Sequence, residues 1–215
     1  MSPARSEAHP LLTVLLRAAE GIFPAVDGQV DFLPGLPGGL RCVVSFTGHA
    51  YVATPQAPDD FADLRLDGFG QAVHPAALLR LAGADGQIGV LDCTLVGRGR
   101  GGGSLPVRTD LDDHPRVRHA RLLRRDVRVF GDERGLVTVA HGLADRLELS
   151  IELSDDLQGK GIGAALLHDG LARVPAGQPV FAAVSPGNVR SLKAFLAAGF
   201  GPIGSEVIVQ PDGRA

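Results

Sequence analysis

The chain has 215 residues, 45% of them apolar and 21% charged, with a net charge of −3. This is the composition of a folded protein with its own core, and it excludes the strongly basic surface of a general nucleic-acid binder. No run reaches the roughly eighteen apolar residues of a membrane span and no basic-then-apolar leader is present, so a cytoplasmic protein without membrane contact is expected.

Cys42 and Cys93 lie in apolar runs without metal-site spacing and read as reduced core thiols; no metal site is expected. The 29 glycines and the Ala/Arg-rich, Lys-poor usage resemble a high-GC bacterial genome, which bears on origin and not on mechanism.

In chain order, residues 1–8 read as loose and 11–20 as a short helix stopped near Gly21 and Pro24. Residues 27–54 are strand-rich, with turns at 34–39 and 47–49, and the runs 41–46 and 50–53 form a hairpin. Residues 55–73 read as loop. Pro75 opens a helix over 76–81 that Gly83 closes. One strand is expected over 87–96, followed by a mobile glycine-rich loop, Gly97 to Ser104.

Asp112-Asp113-His114-Pro115 is a helix start, and the helix runs to about Arg125. Its arginines, at 116, 118, 121, 124 and 125, read as a solvated face, with a substrate-facing edge as the sharper alternative. Strands follow at 127–130 and 136–141, then the strand 147–153, in which Leu147, Leu149, Ile151 and Leu153 alternate with Glu148, Ser150 and Glu152. A wholly apolar strand at 179–184, a helix at 189–198 capped by Asn188 and stopped by Gly199, and a strand at 206–210 complete the chain.

The organising stretch runs from Leu147 to Leu171: strand, glycine-rich loop, helix. Bare N–H groups at a helix start after a glycine turn suit an anion, so the chemistry suggested is phosphate or pyrophosphate cradling. No GxxxxGK[ST] occurs, and the run is GxGxG rather than the dinucleotide GxGxxG. Gln158-Gly159-Lys160-Gly161-Ile162-Gly163 does fit Gln/Arg-x-x-Gly-x-Gly/Ala, the coenzyme A loop of the GNAT acyltransferases. A purely structural glycine turn and a nucleotide loop are the competing readings.

A second signature, Asn188-x-x-Ser191-x-x-x-Phe195-x-x-x-Gly199-Phe200, is similar to the Asn-x-x-Ala-x-x-x-Tyr-x-x-x-Gly-Phe helix of that family. With the order β, α, β, β, β, α, β, α, β from residue 87, the two motifs closely resemble the GNAT (N-acetyltransferase) superfamily over about 87–210. The resemblance implies an α/β (α+β) fold: a mixed, mainly antiparallel sheet flanked by helices. Residues 87–215 would form the acetyltransferase domain. Residues 1–86 would be an N-terminal α/β extension, possibly a degenerate half-copy of the fold.

The resemblance also implies an activity: acetyl-CoA-dependent transfer to a primary amine, small molecule or peptide, by direct attack in a ternary complex. Pantetheine amides would pair with the backbone of Ile151, Glu152 and Leu153. Pyrophosphate would sit on N–H groups of Gln158, Gly159, Lys160, Gly161, Ile162, Gly163 and Ala164. Asn188 and Ser191 would face the cofactor, and Lys160, Arg190 and Lys193 could add positive charge. Glu152 and Glu148 are the candidate bases, with His141 a further one. Phe195 stands where the family carries a tyrosine acid, and the only tyrosine is Tyr51. A non-catalytic acyl-CoA-binding module is therefore the alternative. The acceptor is not legible, and a homodimer is a family-level expectation only.

Overall fold

The computed structural model describes residues 8–157 and 161–211. In chain order the elements are α1 (Pro10–Ala19), β1 (Val30–Leu33), β2 (Arg41–Phe46), β3 (His49–Ala53), α2 (Pro75–Ala82), β4 (Gln87–Ile88) and β5 (Asp92–Arg98). Then come α3 (Pro115–Leu123), β6 (Arg125–Asp132), β7 (Gly135–His141), β8 (Leu147–Leu153), α4 (Ile162–Ala172), β9 (Pro179–Val184), α5 (Val189–Ala197) and β10 (Gly201–Gln210). No helix of the described residues is long and apolar enough to cross a membrane. Both cysteines are free thiols.

Three helices begin with the same dipeptide: His9-Pro10, His74-Pro75 and His114-Pro115. Proline suits the first helical position because the N–H it lacks would go unpaired there. Each histidine is the N-cap. Its Nδ1 accepts the N–H two residues on, from Leu11 at 3.2 Å, Ala76 at 3.3 Å and Arg116 at 3.2 Å. A ring nitrogen thus does the work that an Asp or Asn oxygen usually does.

The described residues fall into two compact units, one up to Asp92 and from Gly204 onward, the other from Cys93 to Ile203. In the first, the expected β2–β3 hairpin pairs antiparallel, β1 lies parallel to β3, and residues 205–209 of β10 run antiparallel to β2. Val43, Val52, Phe61, Leu81 and Val207 form its core. Phe61 comes from the 55–73 stretch, which holds two 3-10 turns, Pro58–Leu64 and Gln71–Val73. The strand expected over 87–96 is broken. Gly89 N–H donates to Ile208 O at 2.9 Å, so close to that backbone that a Cβ would stand 2.8 Å from the same oxygen. The chain restarts as β5 at Asp92 and runs on to Arg98.

The second unit is a mostly antiparallel sheet in the order β5-β9-β8-β7-β6. Among the described residues of this unit, β8 and β9 pair parallel and the other neighbours antiparallel. Side chains alternate along β7, so Leu136 and Val137 face opposite ways. Leu136 packs with Val117 of α3. Val137 packs with Leu166, Leu167 and Leu171 of α4 and Phe195 of α5. The fold of this unit is therefore mixed α/β, a mainly antiparallel sheet with helices on both faces.

The glycine-rich stretch after β5 is hydrogen-bonded, not a free loop. N–H groups of Gly99, Arg100, Gly101 and Gly103 donate to the carbonyls of Gln178, Leu171, Val174 and Ala172 at 2.8–2.9 Å. Those of Leu171, Ala172 and Val174 lie at the C-terminal end of α4, where the last carbonyls have no partner inside the helix. A Cβ at Gly99 would lie 2.1 Å from Pro175 O, and one at Gly103 2.7 Å from Ala172 C. Close approach accounts for Gly99 and Gly103, and left-handed backbone, at φ 68° and 72°, for Gly101 and Gly102.

Candidate functional site

Parallel strands β8 and β9 share a single register pair, Glu148 with Phe181. Beyond Glu148 the ladder lapses, and the C-terminal half of β8 borders a cavity of about 900 Å³. Ile151, Glu152 and Leu153 line it from β8. Gly161, Gly163 and Ala164 line it from the start of α4, and Asn188, Ser191, Lys193 and Ala194 from the start of α5. The cavity gathers every cofactor-facing position expected from sequence except Ile162, which is absent from its lining, and Gln158, Gly159 and Lys160, which lie outside the described residues.

Gly161 caps α4 at φ 76° and ψ 0°, a left-handed conformation that favours glycine. The N-cap offers no side chain to hydrogen-bond the first N–H groups of α4. Gly163 faces Ala194 so closely that a Cβ there would lie 3.2 Å from the alanine methyl. That glycine sets how near α4 comes to α5. Asn188 Oδ1 accepts the Ser191 N–H at 3.1 Å, as expected of an N-cap. Among the described residues, a strand edge without a β9 register partner beyond Glu148, a helix start without a side-chain cap, and Arg190 and Lys193 nearby suit an extended amide-bearing ligand that ends in phosphates.

The polar face of β8 meets α3. Arg116 Nε donates to Glu152 Oε2 at 3.0 Å, and His114 Nε2 lies 3.9 Å from Glu152 Oε1. His114 Nδ1 accepts the Arg116 N–H, which leaves Nε2 as the ring nitrogen nearer Glu152. Arg116 and Glu152 both line the cavity. Between the two glutamate levels, the Thr138 and Ser150 hydroxyls are 2.7 Å apart.

Glu148 has a different environment. It is buried, and its two oxygens accept from Arg124 Nε at 2.6 Å, Arg146 Nε at 2.9 Å and the Leu143 N–H at 3.0 Å. The Arg146 side chain is 0% exposed and its guanidinium lies 5.2 Å from the Phe181 ring centroid. Burial alone would push the Glu148 carboxyl up, but Arg146, Arg124 and the Leu143 N–H together hold it below the usual carboxylate range. Glu148 does not line the cavity.

Other expectations move. The α3 arginines are not simply solvated: Arg116 and Arg124 pair with β8 as above, and Arg121 with Asp112 at 2.7 Å. His141 lies 3.4 Å from Asp126 and lines a second cavity of about 490 Å³, with Arg128 and Arg173. Phe195 is buried, edge-on to Phe200 with centroids 4.9 Å apart, so that position belongs to the core. Tyr51 sits in the first unit, its ring tilted 46° to that of His49 with centroids 4.8 Å apart. The sequence reading names Arg116 only as one of five arginines with a substrate-facing edge as the alternative, and does not single out His114 as a neighbour of Glu152. The His-Pro dipeptide is the one sequence signal that could have flagged His114.

No protein-family model and no curated protein matches the chain. Among the solved structures that are similar to the chain are two of low identity. One is an acetyltransferase from the GNAT family of Colwellia psychrerythraea, 12% identical, with a TM-score of 0.39 over 58% of this chain and 57% of that one. The other is a functionally unknown conserved protein from Staphylococcus epidermidis ATCC 12228, 14% identical, with a TM-score of 0.41 over 64% of this chain and 67% of that one. The chain thus spans less than two thirds of the acetyltransferase's length.

Proposed function

We propose that the chain is an acetyl-CoA-dependent N-acyltransferase acting on a primary amine. The observation that carries this reading is the lapse of the β8–β9 ladder beyond Glu148 into a cavity that holds Glu152 and the start of α4. Ile151, Glu152 and Leu153 would offer backbone to the pantetheine amides, and Gly161, Gly163 and Ala164 the N–H groups for phosphate. The thioester, when bound, supplies an electrophilic carbonyl carbon.

Amines arrive as ammonium ions, so one proton must leave before attack. Glu152 Oε1 accepts it; Oε2 stays on Arg116, which holds the carboxylate in place. The amine nitrogen then bonds to the carbonyl carbon, the C–S bond breaks, the second N–H proton is lost, and the thiolate takes up one proton. The net products are the amide, free thiol and one proton. Proximity within the cavity contributes much of the rate. Glu148, buried, held by two arginines and an N–H and absent from the cavity lining, serves structure instead.

A second reading, an acyl-CoA binder without turnover, is favoured by Phe195, a core side chain without a hydroxyl at the position of the family's acid. Thiol release from acetyl-CoA over an amine panel separates the two. The enzyme reading expects release with at least one amine, and a fall of about 10²-fold or more in kcat for Glu152→Gln. Acetyl-CoA binding with no thiol release from any amine supports the binder.

A further inference from the structure

The Arg116–Glu152 pair presents a cation and an anion side by side on the cavity wall. Among the described residues the Arg116 guanidinium makes its hydrogen bond through Nε only, so its two Nη groups keep their donors. A guanidinium held at Nε and open at Nη presents a planar edge that matches a carboxylate in two parallel hydrogen bonds. Glu152 Oε1, 3.9 Å from the nearest His114 nitrogen, is too far from it for a hydrogen bond and retains room for an N–H donor. A ligand complementary to this pair carries a carboxylate and an ammonium close together.

We propose that the acceptor is an amino acid or an amine with a carboxylate on the neighbouring carbon. Arg116 Nη groups bind its carboxylate, and Glu152 Oε1 receives its ammonium. This rests on the acyltransferase reading and narrows its acceptor class. The pairing also explains why the base is tied to an arginine. The acceptor's carboxylate shares the guanidinium with Glu152, so the amine is directed to the oxygen that takes its proton. An amine without a carboxylate would leave the Arg116 fork unanswered inside the cavity, a loss that discriminates against it.

The test uses the full chain and the common amino acids, each against its own amide, which keeps the amine and side chain and removes the carboxylate. Thiol release with acetyl-CoA is followed for wild type, Arg116→Gln and Arg116→Lys, with acetyl-CoA binding titrated for each. The proposal expects at least one amino acid to exceed its amide by about tenfold or more in kcat/KM. It expects Arg116→Gln to erase that ratio with acetyl-CoA affinity kept within about threefold, and Arg116→Lys to restore part of it, since a lysine keeps the charge without the fork.

Equal use of acids and amides by wild type overturns the proposal and leaves the acyltransferase reading standing. So does turnover confined to amines outside the amino-acid panel. A loss of acetyl-CoA affinity of about tenfold in Arg116→Gln also overturns it, because Arg116 then serves the cofactor phosphates. Absence of acetyl-CoA binding in wild type overturns both readings.

Discussion

Arg124 Nε donates to Glu148 Oε2 at 2.6 Å, and the same strand face carries a second such pair, Arg116 with Glu152, at 3.0 Å. Eight residues along α3 advance about 12 Å. Four residues along β8 advance about 13 Å. The two arginines therefore meet two glutamates in register, and α3 is fastened to the strand at both ends. In the inner pair Glu148 is buried with Arg146 and Arg124 is half-buried, while Glu152 is 42% exposed at the cavity.

Removing the inner carboxylate breaks a buried ion pair. Glu148→Gln takes away the carboxylate that the fully buried Arg146 pairs with, at a cost of about 3–5 kcal/mol. Glu152→Gln, at the exposed pair, costs about 1 kcal/mol or less. Urea denaturation of the two variants measures the difference. Equal costs would remove the distinction between a structural and a functional glutamate.

The same carboxyl makes stability acid-sensitive. Its folded-state pKa lies below its unfolded value, so the stabilisation is present above the unfolded pKa, about 4.3, and is lost as pH falls toward the folded value. Wild type should lose stability steadily below about pH 4.5, and Glu148→Gln should lose less over the same range. Parallel stability–pH curves for the two proteins would contradict this.

A histidine N-cap makes a prediction that charge alone does not. His114→Ala removes the acceptor for the Arg116 N–H and should cost about 1 kcal/mol, whereas His114→Asn should restore most of it. Thermal denaturation reads both. If Asn is no better than Ala, the ring nitrogen is not acting as the cap.

The stretch after β5 should resist even the smallest side chain. Gly99→Ala would set a methyl against Pro175 O, and Gly103→Ala one against the Ala172 backbone. Each should cost about 1–3 kcal/mol, as overpacking does. A control at Gly102, where a Cβ meets nothing within 4 Å but φ is 72°, should cost about 1 kcal/mol from backbone strain alone. Equal, negligible effects at Gly99 and Gly103 would return the stretch to a mobile loop.

Much of the second unit could be read from residue patterns. Alternation over Leu147–Leu153 marked both the strand and the face its glutamates occupy, and the short apolar run 179–184 marked a strand buried on both faces. Illegible were the features that depend on distant partners. Arg116 and Arg124 find glutamates 36 and 24 positions away, so a basic helix read alone looks solvated. Glycine repeats look alike whether the chain is mobile or pressed against a helix end, and only α4 decides between them. Glu148 and Glu152 share one strand face and one residue type. What separates them is Arg146, whose burial no local pattern announces.

The central claim is that the cavity beside β8 binds acetyl-CoA, and calorimetric titration of the intact chain tests it most directly. The comparison is Gly163→Leu, which adds bulk where even a Cβ stands 3.2 Å from Ala194, with the denaturation midpoint confirming that the variant is folded. The account predicts one site on the wild type with a Kd in the micromolar range, about −8 kcal/mol, and a loss of about tenfold or more in the variant. No heat of binding to wild type, or equal affinity in both proteins, would contradict it.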